Sequence, residues 1–253
     1  VPSLMLKLNY IFHPYLIWRT LFGILESKHN KTTRVNQYGR YIFKTDEGLM
    51  KLLTCDPSMI RDFKSELESK VEFHNIMSRH RDTLKAFGGG MGIDDCRVLY
   101  VICRVIRPNV VVETGTGNGF SSSYMIQALE DNGYGELYSI DLHCRNGVTL
   151  PVGKQPGWVI PEYLRHRAHL ILGESFKVLP RLLRQMEDID IFLHDSRHVY
   201  WTMTREYETV WPYLGEGGLL LSHDVKENDA FLDLCDKVDR SPIIIGNLGC
   251  VKR

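Results

Sequence analysis

From residue 109 onward the chain alternates with a regularity that few folds accommodate. Short apolar, β-branched runs, NVVVE (109–113), ELYSID (136–141), AHLIL (168–172), IDIFLH (189–194) and GLLLSHD (218–224), are separated by stretches of helical spacing at 121–129, 174–186, 200–214 and 227–238. Strands that are apolar throughout need cover on both faces, and a strand–helix–strand succession supplies it through right-handed crossovers. The reading is therefore a doubly wound α/β sheet, mostly parallel and Rossmann-like, with helices on both faces. The tail PIIIGNLGCVKR adds a last strand or hairpin, with Asn247 and Gly249 as turn residues.

The first 108 residues read as largely helical, ahead of any parallel sheet. Asp56 is placed to cap a helix that has Pro57 at its first position and runs towards Phe87. FGGGMG (87–92) breaks it, Asp94 or Asp95 starts a second helix through CRVLYVICRVI, and Pro108 stops that one. The division expected is an N-terminal helical extension at 1–86 and a catalytic domain at 87–253.

The segment LMLKLNYIFHPYLIWRTLFGIL (4–25) is apolar and aromatic, but its longest run without Asp, Glu, Lys or Arg, Leu8–Trp18, contains Pro14 and falls short of the roughly 20 residues of a membrane span. Lys7, His13 and Arg19 also interrupt it as a signal-peptide core. Two readings stay open: packing on the domain or on a partner subunit as a lid or homodimer contact, or peripheral contact with a membrane interface. Lys+Arg and Asp+Glu are both 31, so no overall basic field draws the chain to nucleic acid, and Arg79-His80-Arg81 reads as a solvated helix face. Six cysteines without a CxxC pair suggest neither a zinc knuckle nor a disulfide framework, and the expected compartment is reducing and cytoplasmic.

The first strand of the alternating region runs into VVETGTGNGFSSS (111–123). Dinucleotide binding asks for GxGxxG, whereas the glycines here fall at 115, 117 and 119 and position 120 is Phe. Glu113 just before the turn is an awkward neighbour for a pyrophosphate and a suitable one for a cationic amine. Ser121, Ser122 and Ser123 read as the cap and first turn of the next helix.

With ExGxGxG after one strand, an acid ending the next, and DxxH after a later one, the chain resembles the class I S-adenosylmethionine-dependent methyltransferases. VVETGTGNGFSS, IFLHDSRHVY and WPYLGEGGLLLSHDV resemble more narrowly the small-molecule O-methyltransferase branch that includes macrocin O-methyltransferase and cephalosporin-hydroxylase-like proteins, with catechol O-methyltransferase more distant. The likeness covers roughly residues 87–253. It implies that Glu113 and the backbone of Gly115, Thr116, Gly117, Asn118 and Gly119, with Ser121, hold the methionine part of S-adenosylmethionine (SAM), the glycines giving room to the ligand. It also implies that Asp141, followed by Leu142, accepts the ribose hydroxyls and that Gly173, Glu174 and Ser175 border the adenine.

Methyl transfer is an in-line displacement, so the protein has to position the acceptor and manage one proton. The candidates sit at two strand ends: His194, Asp195 and His198, then His223 and Asp224. Two mechanisms fit. In one, Asp195, His223 and Asp224 hold a divalent cation; relatives carry acids in these places, and His223 departs from that pattern, which disfavours Mg²⁺ and leaves room for Mn²⁺ or another ion. In the other, His198 or His223 is a general base. Asp195 serves both and borders the cofactor pocket as well, whereas His194 reads as a core histidine.

The expected function is methyl transfer from SAM to a hydroxyl of a small-molecule acceptor. The alternatives are N-methylation, methylation of a lipid or glycan at a membrane surface, a nicotinamide-dependent oxidoreductase, and a cofactor-binding module without catalysis.

Overall fold

The computed structural model describes residues 33–84, 90–142, 150–151 and 153–253. The apolar segment at 4–25, part of FGGGMG and Cys144 lie outside the described residues. The helices are α1 (Val35–Tyr38), α2 (Thr45–Leu53), α3 (Pro57–Glu68), α4 (Val71–Leu84), α5 (Ile93–Ile106), α6 (Phe120–Asn132), α7 (Ser175–Leu183), α8 (Tyr200–Val210) and α9 (Ala230–Lys237). The strands are β1 (Ile42–Phe43), β2 (Val110–Thr114), β3 (Glu136–Asp141), β4 (Ala168–Leu172), β5 (Ile189–His194), β6 (Leu214–Ser222), β7 (Ile243–Ile245) and β8 (Leu248–Lys252).

They form one sheet in the order β1-β7-β8-β6-β5-β2-β3-β4, parallel except where β8 runs against β6 and β7. The chain winds outward from β2 through β3 to β4 and then returns to place β5 on the other side of β2. Strand order reverses between β2 and β5, where folds of this kind open a crevice at the carboxyl ends. Successive strand residues alternate between two cores. Val111, Ile191, Leu193, Leu219 and Leu221 pack with α5 and α6, and Val112, Phe192 and Leu220 pack with α7, α8 and α9. The expected two-faced cover is thus met residue by residue.

Three local expectations are corrected. The hairpin turns at Gly246, which has φ +63°, and Asn247, while Gly249 is inside β8, where an added Cβ would press on Phe231 and Val225 at 2.7 Å. The long helix after Asp56 breaks at Ser69 and Lys70, although Asp56 does cap it, accepting from the Ser58 amide at 2.7 Å. The second helix starts from Gly92, which leaves Asp95 inside its first turn and buried.

The region before Pro108 is not only helical. Ile42 and Phe43 pair in parallel with Ile244 and Ile245 as an edge strand. The Tyr38 hydroxyl reaches the carbonyls of Val225 and Asn228 at 2.6 and 2.8 Å, and Arg34 pairs with Asp233 and Asp236. Leu49, Ile60, Leu67, Phe73 and Met77 join the core that α5 and α6 share. Among the described residues no helix is long and apolar enough to cross a membrane, and the five described cysteines are free.

Candidate active site

Sheet register brings the site together. Thr114, His194 and Ser222 lie side by side on β2, β5 and β6, so Gly115, Asp195 and His223 leave the sheet as neighbours. The ladder continues for one step beyond the strands, with the Asp195 amide donating to Thr114 and the His223 amide to His194 at 2.8 and 2.9 Å. Gly115, at φ +91°, lies so close to this junction that an added Cβ would overlap the Asp195 carbonyl. Gly119, at φ +90°, comes within contact of Gly157, whose Cα would stand 2.7 Å from a new Cβ. Neighbouring backbone by itself therefore demands glycine at both positions.

A cleft of about 960 Å³ opens over these strand ends. Of the residues expected to hold a cofactor, Gly115, Thr116, Gly117, Asn118, Ser121, Asp141, Leu142, Gly173, Glu174, Ser175 and Asp195 line it. Asp141 ends β3, and its two oxygens accept the amides of Gly117 and Leu142, each at 2.6 Å. Burial raises its pKa, against the pull of those two amides.

Glu113 does not reach the wall. It is 0% exposed and sits beneath the loop, where the hydroxyls of Ser121, Ser122 and Ser139 donate to it at 2.7, 2.6 and 2.6 Å. Burial pushes its pKa up to about 7 despite these three donors. The direct contact expected between Glu113 and a ligand amine is thus replaced by a role in tying the glycine loop and α6 to β3. Ser121 and Ser122 are those ties and not helix caps; Ser123 bonds back to the Gly119 carbonyl, and the cap position is Gly119 itself.

At the other end of the cleft, Asp195 Oδ1 stands 3.1 Å from His223 Nδ1 and 3.5 Å from His198 Nε2. One ligand atom from each of Asp195, His198 and His223 lies within 4.8 Å of the others. His198 Nε2 and both ring nitrogens of His223 are buried without an aligned hydrogen-bond partner. Asp224 flanks the group with Oδ2 3.5 Å from His223 Nδ1 and 4.0 Å from His198 Nδ1, on a backbone at φ +50°. The structure thus brings His198 into the cluster where Asp224 was expected.

Burial opposes charge on both Asp195 and His223, but their proximity outweighs it. Asp195 is held below the usual carboxylate range by His198 and His223, while Asp195, Asp95 and Asp224 raise His223 to about 10. His194 is a core histidine. Its Nδ1 meets Glu206 at 2.7 Å, and Glu206 also accepts from Thr114 and Ser196.

Residues 112–225 match the model of a family described as Methyltransferase domain. The match covers 114 of the 253 residues. It holds the glycine loop, Asp141, Asp195, His198, His223 and Asp224, and the enzyme class expected from the sequence is the one found. No curated protein matches the chain.

Among solved structures, the methyltransferase fold recurs in TomG, an O-methyltransferase from Streptomyces achromogenes involved in tomaymycin synthesis, solved in complex with SAM. The two are 14% identical with a TM-score of 0.53, over 71% of this chain and 88% of TomG. The Podospora anserina methyltransferase PaMTH1, bound to SAH, aligns at 11% identity and TM-score 0.52 over 70% and 86%. An O-methyltransferase from Bacillus cereus in complex with SAH aligns at 10% and 0.50 over 82% and 96%. At these identities the likeness is one of fold.

Four features of this site were not read from the sequence. Asp95 and Glu206 approach His223 and His194 from helices. Each interrupts the apolar stripe of its helix, Asp95 with Val98, Leu99 and Ile102, and Glu206 with Met203, Tyr207 and Val210, and that interruption is the signal that could have found them. The third feature is a segment lying over the glycine loop. Trp158 donates to the Asn118 side chain at 2.7 Å, and the Gly157 and Val159 amides bond to Gly117 and Asn118. The fourth is Arg81, read as part of a solvated face, which lines the cleft.

Proposed function

We propose that the chain transfers a methyl group from SAM to a hydroxyl of a small-molecule acceptor, assisted by a divalent cation at Asp195, His198 and His223. The observation that carries this reading is one cleft with the glycine loop on one side and, beside Asp195 on the other, the buried His223 and the half-buried His198, whose ring nitrogens there have no aligned hydrogen-bond partner. The SAM and SAH bound to TomG and to the Bacillus cereus enzyme support the choice of cofactor. At about 960 Å³ the cleft is near the upper end of the roughly 300–1,000 Å³ of ligand pockets, which favours a cofactor and a small acceptor together.

SAM supplies a methyl group on a sulfonium centre. Asp141 has lone pairs beyond those taken by its two amides and would accept ribose hydroxyls with them. Leu142 and Gly173 to Ser175 would border the adenine, and the loop from Gly115 to Gly119 would face the methionine part.

The donor set suits a cation. Bonds of about 2.1 Å put neighbouring ligands about 3.0–3.4 Å apart, close to the 3.1 and 3.5 Å found around Asp195. Two imidazoles with one carboxylate favour Mn²⁺, Fe²⁺ or Zn²⁺ over Mg²⁺. Asp195, His198 and His223 would hold such an ion, and its chemistry there would be to lower the pKa of an acceptor hydroxyl. With both histidines in the donor set, the carboxylate that flanks them and would take the hydroxyl proton is Asp224, at its Oδ2.

The test is transfer of labelled methyl from SAM to a panel of phenolic and sugar hydroxyls. Transfer should disappear with EDTA, return with Mn²⁺ and be lost in Asp195→Asn. Transfer that persists unchanged in EDTA would rule out the cation.

A further inference from the structure

Arg81 lies on the last turn of α4, outside the matched residues, yet it reaches the cleft wall together with Met91, Phe120 and Ser121. The residue before it ties α4 to the glycine loop: the His80 ring meets the Trp158 ring edge-on with centroids 4.9 Å apart, and Trp158 donates to Asn118. Arg81 is exposed, and its guanidinium has no acidic partner among the described residues. The cleft carries a second permanent cation, Arg197, but that residue stands between Asp195 and His198 in the chain, on the side of the cluster. Burial raises the pKa of the Cys96 thiol and of the Tyr124 hydroxyl, the charge of Arg81 opposes the rise at both, and Asp195 adds to it at Cys96. Arg81 and Asp195 therefore both stand within electrostatic reach of one buried thiol.

Glu113, the acid expected to meet a charged ligand tail, is withdrawn beneath the loop, and the Ser121 hydroxyl is taken up by it. A cation is offered at this wall instead. Helix α6 starts there at Gly119 without a side-chain cap and adds the positive end of its dipole. A guanidinium fork matches the two oxygens of a carboxylate, and a ligand supplies the charge that the described protein groups do not. We propose that Arg81 anchors a ligand carboxylate over the glycine loop. Two ligands of the SAM reading above, on which this rests, can bring that group: the cofactor through its amino-acid tail, or an acceptor that is a hydroxy acid.

Calorimetric titrations of the full chain, Arg81→Gln and Arg81→Lys separate these sources. The probes are SAH, 5′-methylthioadenosine, which lacks the amino-acid tail, and two acid–amide pairs measured with and without SAH, 3,4-dihydroxybenzoate with its amide and glucuronate with glucuronamide. If the carboxylate is the cofactor's, Arg81→Gln should weaken SAH by about 10- to 100-fold and leave 5′-methylthioadenosine unchanged. If it is the acceptor's, SAH affinity stays the same, and the natural protein's preference for an acid over its amide disappears in the variant. In either case Arg81→Lys, which keeps the charge without the fork, should recover part of the loss. An Arg81→Gln protein that alters neither SAH nor an acid preference, or that weakens 5′-methylthioadenosine as much as SAH, would overturn the role of Arg81. If the natural protein binds neither adenosine compound, the SAM reading fails, and the acid–amide pairs alone decide: a preference that depends on Arg81 upholds the anchor, and its absence overturns it.

Discussion

Glu113→Gln exchanges a fully buried carboxyl for an amide of the same shape, still able to accept from serine hydroxyls, and so isolates the effect of one ionisation. The carboxyl goes from 4.5 to about 7 on folding because burial outweighs three serine donors. At about 1.4 kcal/mol for each tenfold change in proton affinity, the full effect is about 3 kcal/mol. The folded state binds this proton more tightly than the unfolded one. Its contribution to stability is therefore complete below about pH 4.5, falls as pH rises through about 7, and is absent above that. Between about pH 5 and about pH 8 the natural protein should lose about 2.5 kcal/mol relative to the glutamine variant. Urea unfolding of both proteins at the two pH values measures the difference, with other carboxylates cancelling in the comparison. A difference that stays within about 0.5 kcal/mol would mean that the serine hydroxyls hold Glu113 ionised throughout, and the reasoning would fail.

Gly115→Ala places a Cβ on the Asp195 carbonyl at φ +91°; the backbone strain alone costs about 1–2 kcal/mol, and SAM affinity by calorimetry should drop at least tenfold as the loop moves. Tyr38→Phe leaves the buried carbonyls of Val225 and Asn228 without their donor and should cost about 1–3 kcal/mol in urea unfolding. Glu206→Ala strips His194 of its partner in the core and should destabilise by about 3–5 kcal/mol. Because His194 and other donors hold Glu206 below the usual range against its burial, the stability that Glu206 supplies should vanish as pH falls through the acid range, which the same assay resolves.

The sheet was legible because each strand is apolar on both faces, and the structure divides those residues between two cores, Val111 from Val112 and Leu220 from Leu221. Asp195, His198 and His223 were legible because strand ends are where this topology puts chemistry. What was not legible depends on contacts between distant segments. Glu113 sits in a cage closed by Ser139 of the neighbouring strand, and no local pattern tells such a cage from a ligand contact. Strand β1 has two residues, too few for a period, and exists because β7 offers an edge. The segment at 153–160 has no periodicity, and its place over the glycine loop depends on single bonds such as that of Trp158 to Asn118.

The most direct measurement is a calorimetric titration of the full chain with SAM, alongside Asp141→Ala. One equivalent should bind in the micromolar range, and the variant should lose that binding. Absence of binding at millimolar SAM, with NAD bound instead, would contradict the account at its centre.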